Sequence, residues 1–244
     1  MVDSGLESMV TGTAAAIHRE APEVALLINT HWHFDHAGGN QRVVQMGAQV
    51  VAHQNCRSRL AEDQTIEFFN RKIKATPPQG LPRIALSHET QLHVNGEVIR
   101  IIPVPPAHTD GDVAVFFTKA NLVHMGDLHF HQMYPFIDYS SGGWIGGLIP
   151  AVRLILEMTD EKTQVIPGHG SPATAADLRQ YLEFLETIYN RLLGLQDAGK
   201  TVEEAVESKP TAEFDQAWSG GLLSPDDFVR CAYTGLLRHG KRAE

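Results

Sequence analysis

Runs of apolar residues broken by turn-forming residues divide the 244-residue chain into alternating strand and helix candidates. The opening, Met1 to Glu20, reads as a short extended start followed by a weakly helical run. Glu23 to Asn29 (EVALLIN) is continuously apolar between Pro22 and a polar turn, the pattern of a buried strand. Gln41 to Met46 reads as a helical turn and Ala48 to Ala52 as a second buried strand. The spacing predicts a helix over Asn55 to Phe69, then an irregular loop through Thr76 to Pro82. Two hairpins follow. Thr90–Val94 and Glu97–Pro103 flank Asn95-Gly96, a pair suited to positive φ, and Asp112–Thr118 and Leu122–Met125 flank Lys119-Ala120-Asn121. Trp144–Met158 is an amphipathic helix, Thr163–Ile166 a short strand and Ala175–Ala198 a long helix. Val202–Glu207 and Pro225–His239 complete the helices, with Pro225 placed for a first turn. Strands mixed with helices throughout predict an α/β or α+β fold. With no linker or repeat, residues 1–244 read as one domain whose portion 175–244 is helical.

Composition narrows the function. A net charge of −9 argues against a nucleic-acid backbone or an anionic membrane as the main partner. No stretch reaches the roughly 18 apolar residues of a membrane helix. Cys56 and Cys231 stand far apart, which suits neither a disulfide framework nor a sulfur-rich metal site. The outlier is histidine, present 13 times.

Position gives that number meaning. His31, His33, Asp35 and His36 follow the strand ending at Asn29; His108 follows the one ending near Val104. Asp127 follows the strand ending at Met125, and His169 the one ending at Ile166. Loops at the ends of strands are where sites are built on rigid sheets. Imidazole and carboxylate are zinc ligands, though they accept Mn or Fe as well, and these seven suffice for two ions. In the tight HxHxDH turn, His31 and His33 can face one way while Asp35 and His36 face another. A lone HxH or PGHG would be surface decoration or a turn; all the segments together, each at a strand end, point to a metal site.

HWHFDH at 31–36, PAHTDGD at 106–112, MGD at 125–127 and PGHG at 167–170 resemble the metallo-β-lactamase superfamily over roughly Val2 to Ala175. The resemblance implies an αββα four-layer sandwich with the site at one edge between two sheets. It also implies His31, His33 and His108 on one metal, Asp35, His36 and His169 on a second, and Asp127 bridging them. Flavodiiron proteins carry Glu where His33 stands, and the zinc β-lactamases carry Cys or a non-ligand where Asp127 stands. The ligand set is thus more similar to glyoxalase II, lactonases and related hydrolases. Pro106 through Phe136 and on to Gly143 resembles the cyclase-like, quinoprotein-associated hydrolases. Such proteins usually begin with a hairpin ahead of the strand that Met1–Gly5 resembles. The expectation is therefore an upstream segment carrying those strands, with which a signal peptide could also be lost; the chain as given shows no signal peptide and reads as cytoplasmic.

That resemblance implies a dinuclear zinc hydrolase acting on an ester, lactone, thioester or cyclic amide. Two ions roughly 3.5–4 Å apart lower the pKa of a shared water towards ~7, and Asp35 orients that nucleophile and takes its proton. Asp112 and Thr109 either orient His108 or cap a turn. Trp32, Phe34, His129 and Tyr134 are the candidate substrate contacts, with His131, Met133 and Phe136 at the same mouth, while Trp144 reads as core. His53, His88, His93 and His124 read as structural. The expected partner is a small acyl substrate, and the C-terminal helices would either close the pocket or form a homodimer face. A phosphodiesterase of the same fold and a non-catalytic metal-binding protein are the alternatives.

Overall fold

A computed structural model describes residues 1–13 and 23–242, with the side chains of 241 and 242 left aside. The later part of the helical run expected at the start, 14–22, lies outside the described residues. The chain builds two facing sheets. The smaller is parallel, ordered β1 (Leu26–Ile28), β2 (Gln49–His53), β5 (Ile84–Leu86). The larger has six strands in the order β11 (Ala173–Thr174), β10 (Gln164–His169), β9 (Leu122–Phe130), β8 (Val113–Phe117), β7 (Glu97–Pro103), β6 (Thr90–Val94).

Alternation along the strands explains the layering, because successive side chains leave opposite faces. In β7 and β8, Ile101, Val113 and Val115 point inward to meet Ile28 and Val51 of the small sheet. Their neighbours Ile102, Ala114 and Phe116 point the other way, into the core under the long helices. In the small sheet, Leu27 and Val50 face outward onto Val43 of a short helix, α2 (Asn40–Gln45). Both faces of the central strands β2, β8 and β9 are thus largely buried, which is why they read as apolar runs. The outer layer on the large sheet is α4 (Ile145–Glu157), α5 (Ala175–Asp197) and α8 (Pro225–Arg242), with the short α6 (Val202–Glu207) and α7 (Asp215–Trp218) between the last two. Helix, sheet, sheet, helix is the four-layer sandwich expected. α4 also supplies the crossover that lets β9 and β10 pair in parallel.

Most elements fall within a residue or two of expectation. The β6–β7 hairpin turns on Asn95 and Gly96, both at positive φ (54° and 75°). Two expectations need correction. Asn55–Phe69 is not one helix: α3 covers only Gln54–Leu60, and the chain then forms a hairpin of β3 (Gln64–Ile66) and β4 (Arg71–Ile73). Its turn closes on Asn70, whose left-handed φ of 46° a continuing helix would not allow. The second concerns β9 and β10, which do not stop at Met125 and Ile166 but run on to Phe130 and His169. Asp127 therefore sits inside a strand. Among the described residues, no helix is long and apolar enough to cross a membrane.

Candidate metal centre

The HxHxDH segment leaves β1 and is clamped at both ends. Asn29 and Asn40 exchange side-chain amide hydrogen bonds of 3.0 and 2.8 Å, and Ser4 donates to Asn40 as well. Between these clamps the chain makes a tight bend and then α1 (Phe34–Ala37), with His33 at its N-terminal boundary. That geometry sends His31 and His33 to one side and Asp35 and His36 to the other. His108 enters from the β7–β8 loop. Asp127 enters from β9 where Gly126 takes a φ of 51° and the pairing with β10 slips, a local irregularity that re-aims the side chain. His169 closes β10. Gly168, beside it, passes so near Asp127 that a Cβ there would strike the carboxylate.

The seven side chains converge. His31, His33, His108 and Asp127 each offer a ligand atom within 4.8 Å of the others, and Asp35, His36 and His169 form a second group of the same span. Asp127 touches both: one carboxylate oxygen lies 3.5 Å from His108 Nε2 and 3.4 Å from His169 Nε2, the other 3.1 Å from His36 Nε2. The first group is buried, whereas Asp35 and His169 keep 29% and 39% of their side chains exposed.

The outward nitrogens of four imidazoles are fixed. His33 Nε2 donates to Asp138 (3.1 Å), His108 Nδ1 to the Phe136 carbonyl (2.8 Å) and His36 Nδ1 to Asp3 (2.8 Å). His31 Nδ1 donates to the Thr30 hydroxyl (3.0 Å), which itself donates to Asp3 (2.8 Å). Each outer N–H is thereby used, so each ring, when neutral, presents a lone pair on its inner nitrogen, the arrangement expected of metal-binding histidines. One inward atom, His31 Nε2, is buried with no hydrogen-bond partner. Buried polar atoms are normally satisfied. An orphaned lone pair among nitrogen and carboxylate donors fits a divalent cation.

Protonation differs across the centre. Burial, with the charge of His36 added, holds His31 well below the usual imidazole range, and burial lowers His108 to about 4. Burial also opposes charge on His36, but Asp127 and Asp3 outweigh it and raise its pKa well above the ordinary value. Hydrogen bonds to Asp127 and Asp35 raise His169 to about 10. Burial opposes ionisation of Asp127 and Asp35; nearby imidazoles prevail and keep both pKa values low.

A cavity of about 910 Å³ opens over this cluster, with His33, Asp35, Asp127 and His169 in its floor. Of the candidate substrate contacts, Phe34 lines it, as do Met133 and Phe136. The other three do not. Trp32 is buried in the core against His33, and Tyr134 stacks on Phe228 and donates to Asp215 (2.6 Å). His129 is buried against Tyr181 on the helix side of β9. Aromatic character alone did not reveal which face each side chain takes. His131 is likewise absent from the lining and donates to the Ser171 carbonyl (2.9 Å). Asp112 bonds the Thr109 amide (2.8 Å) and hydroxyl, so it caps the turn, and His108 takes its ring partner from Phe136 instead. Sequence reading missed Asp3 and Asp138, which lie 33 and 105 residues from the histidines they hold. It also missed the hairpin wall.

Comparison with known proteins agrees with this geometry. The family model of the metallo-beta-lactamase superfamily matches residues 1–181. The chain is similar to a hydroxyacylglutathione hydrolase of Erythrobacter litoralis (strain HTCC2594), at 30% identity over 103 residues. That match covers 42% of this chain and 33% of the relative, so the chain spans about a third of that protein. Among solved structures, the BLEG-1 B3 metallo-beta-lactamase superposes with a TM-score of 0.64 at 22% identity, covering 75% of this chain and 87% of that one. The sec-alkylsulfatase Pisa1 from Pseudomonas sp. gives 0.69 at 16% identity, covering 96% of this chain and 45% of that one. At such identities the likeness is one of fold.

Proposed function

The chain belongs to the metallo-β-lactamase superfamily, and from that premise we propose that it is a metal-dependent hydrolase that uses two zinc ions to cleave an acyl bond: an ester, lactone, thioester or strained cyclic amide. The observation that carries this reading is the convergence of seven donors beneath an open cavity, four of them lining it and one, His31 Nε2, an orphaned lone pair.

His31, His33 and His108 would hold one ion, Asp35, His36 and His169 the other, and Asp127 both. Ions bound there supply Lewis acidity and make water ionisable near neutral pH. The chain's own residues do the rest. Asp3, Thr30, Asp138 and the Phe136 carbonyl lock the imidazole orientations. Asp35, ionised and facing the cavity, orients the attacking water and takes its proton. The water oxygen adds to the carbonyl carbon, the bond to the leaving group breaks, and that proton can pass on to the leaving group. No serine or cysteine nucleophile is needed: Cys56 and Cys231 are buried, and burial pushes the Cys231 thiol up to about 12.

The test is metal content per chain, with turnover of a chromogenic cephalosporin, a lactone, a thioester and bis(p-nitrophenyl) phosphate before and after chelation. The expected result is two zinc ions and acyl turnover that chelation abolishes and zinc restores. Turnover of the phosphodiester alone would overturn the acyl reading. Bound zinc with no turnover at all would make the chain a metal-binding protein.

A further inference from the structure

The β3–β4 hairpin forms one wall of the cavity, and its charges are sorted in an informative way. Asp63 pairs with Lys74 (2.6 Å) and Glu67 with Arg238 of α8 (2.7 Å), so the charges on the outer side are matched. Arg71 and Lys72 line the cavity and, among the described residues, make neither an ion pair nor a side-chain hydrogen bond. What sets these two cations apart is their place in the cavity wall. The acids in the same lining, Asp35 and Asp127, belong to the metal cluster.

Arg71 is also held in place. Its guanidinium carbon lies 3.5 Å from the centroid of the Phe34 ring, and Phe34 stands between His33 and Asp35 in sequence. Stacking on an aromatic face fixes the plane of a guanidinium while leaving its N–H edges free. A planar cation with open edges one side chain from the metal donors is a receptor for an oxyanion. The remaining wall is apolar, built by Ile66, Phe69, Phe130, Met133, Phe136 and Leu222.

Resting on the hydrolase reading above, we propose that the substrate is an anionic amphiphile: an apolar acyl body whose far end carries a carboxylate, received by Arg71 with Lys72 beside it. The scissile carbonyl then lies over the metal donors and the carboxylate under the hairpin. Arg71 is a specificity residue, acting on substrate placement.

The experiment compares p-nitrophenyl monoesters of dicarboxylic acids, from succinic to suberic, each with its neutral methyl ester, on the zinc-loaded protein. The wild type should favour the acid over its methyl ester by about tenfold to a hundredfold in kcat/KM, an effect on the scale of one charge-assisted bidentate contact. Arg71→Gln should remove most of that preference through KM, Arg71→Lys part of it and Lys72→Gln less. An unchanged acid-to-ester ratio in Arg71→Gln, with zinc content and circular dichroism intact, overturns the proposal. Binding of suberate itself by calorimetry is read independently of catalysis. A tenfold weaker affinity in Arg71→Gln supports the receptor even if no ester turns over, an outcome that would sink only the hydrolase reading; equal affinity overturns the receptor.

Discussion

The two halves of the metal centre are made of the same residue types and behave in opposite ways. His31, His33 and His108 are almost fully buried, and burial keeps His31 and His108 neutral. In the half formed by Asp35, His36 and His169, Asp35 and His169 open to the cavity while His36 stays buried, and carboxylates stand beside both imidazoles, so His36 and His169 hold protons tightly. An imidazole's readiness to bind a metal is thus set by its neighbours. The buried half offers lone pairs at neutral pH; the open half must first release protons. On the two-ion proposal, loading in sequence, buried half first, is the expected order.

The largest expected effect breaks the comparison by removing what the halves share. Asp3 holds His36 directly and His31 through Thr30, so Asp3→Ala should weaken both zinc-binding steps, by about tenfold to a hundredfold each. Asp138 reaches only His33, so Asp138→Asn should weaken the buried step alone. A chelator-competition titration resolving the two steps decides this; equal losses in both steps for Asp138→Asn would mean that the halves are not separable.

Raising the pH should sharpen the contrast. In the metal-free protein, His169 keeps its proton up to about 10 and His36 is raised as well, while unfolded imidazoles lose theirs near 6.5. The folded state binds more protons, so this stabilisation is complete below about 6.5 and is lost as the pH climbs through 10. The melting temperature in chelator should therefore fall over that interval, and His169→Gln should flatten the decline.

The smallest effect is a control at the border of the cluster. His129 is buried two residues from Asp127, with both ring nitrogens unpartnered, yet it faces Tyr181. His129→Leu should leave zinc stoichiometry intact and change stability by no more than about 1 kcal/mol, since no hydrogen bond is lost. A drop in bound zinc would place His129 within the centre after all.

How much of this was legible in the sequence follows the range of the signal. The seven clustered donors could be read because four of them share one short turn and the others stand at strand ends, so local patterning exposed them. Asp3 could not, since a single carboxylate near the start of a chain carries no local mark of the fold that brings it to His36. The hairpin at 64–73 was hidden because its strands are only three residues each, too short for a period of two to outweigh a helical spacing. Trp32, Tyr134 and His129 show the remaining limit: an aromatic near a site in sequence can face the core as easily as the cavity, and packing decides.

Gly168 extends the active centre to a residue with no functional group. Because a single methyl there would meet the Asp127 carboxylate, the position carries the same constraint as a ligand. A saturation-mutagenesis library of this protein would therefore record 168 as intolerant as the histidine that follows it. A search for function that scans only for reactive side chains would pass over it, although the empty space it keeps is what leaves the Asp127 carboxylate its place between the two groups of donors.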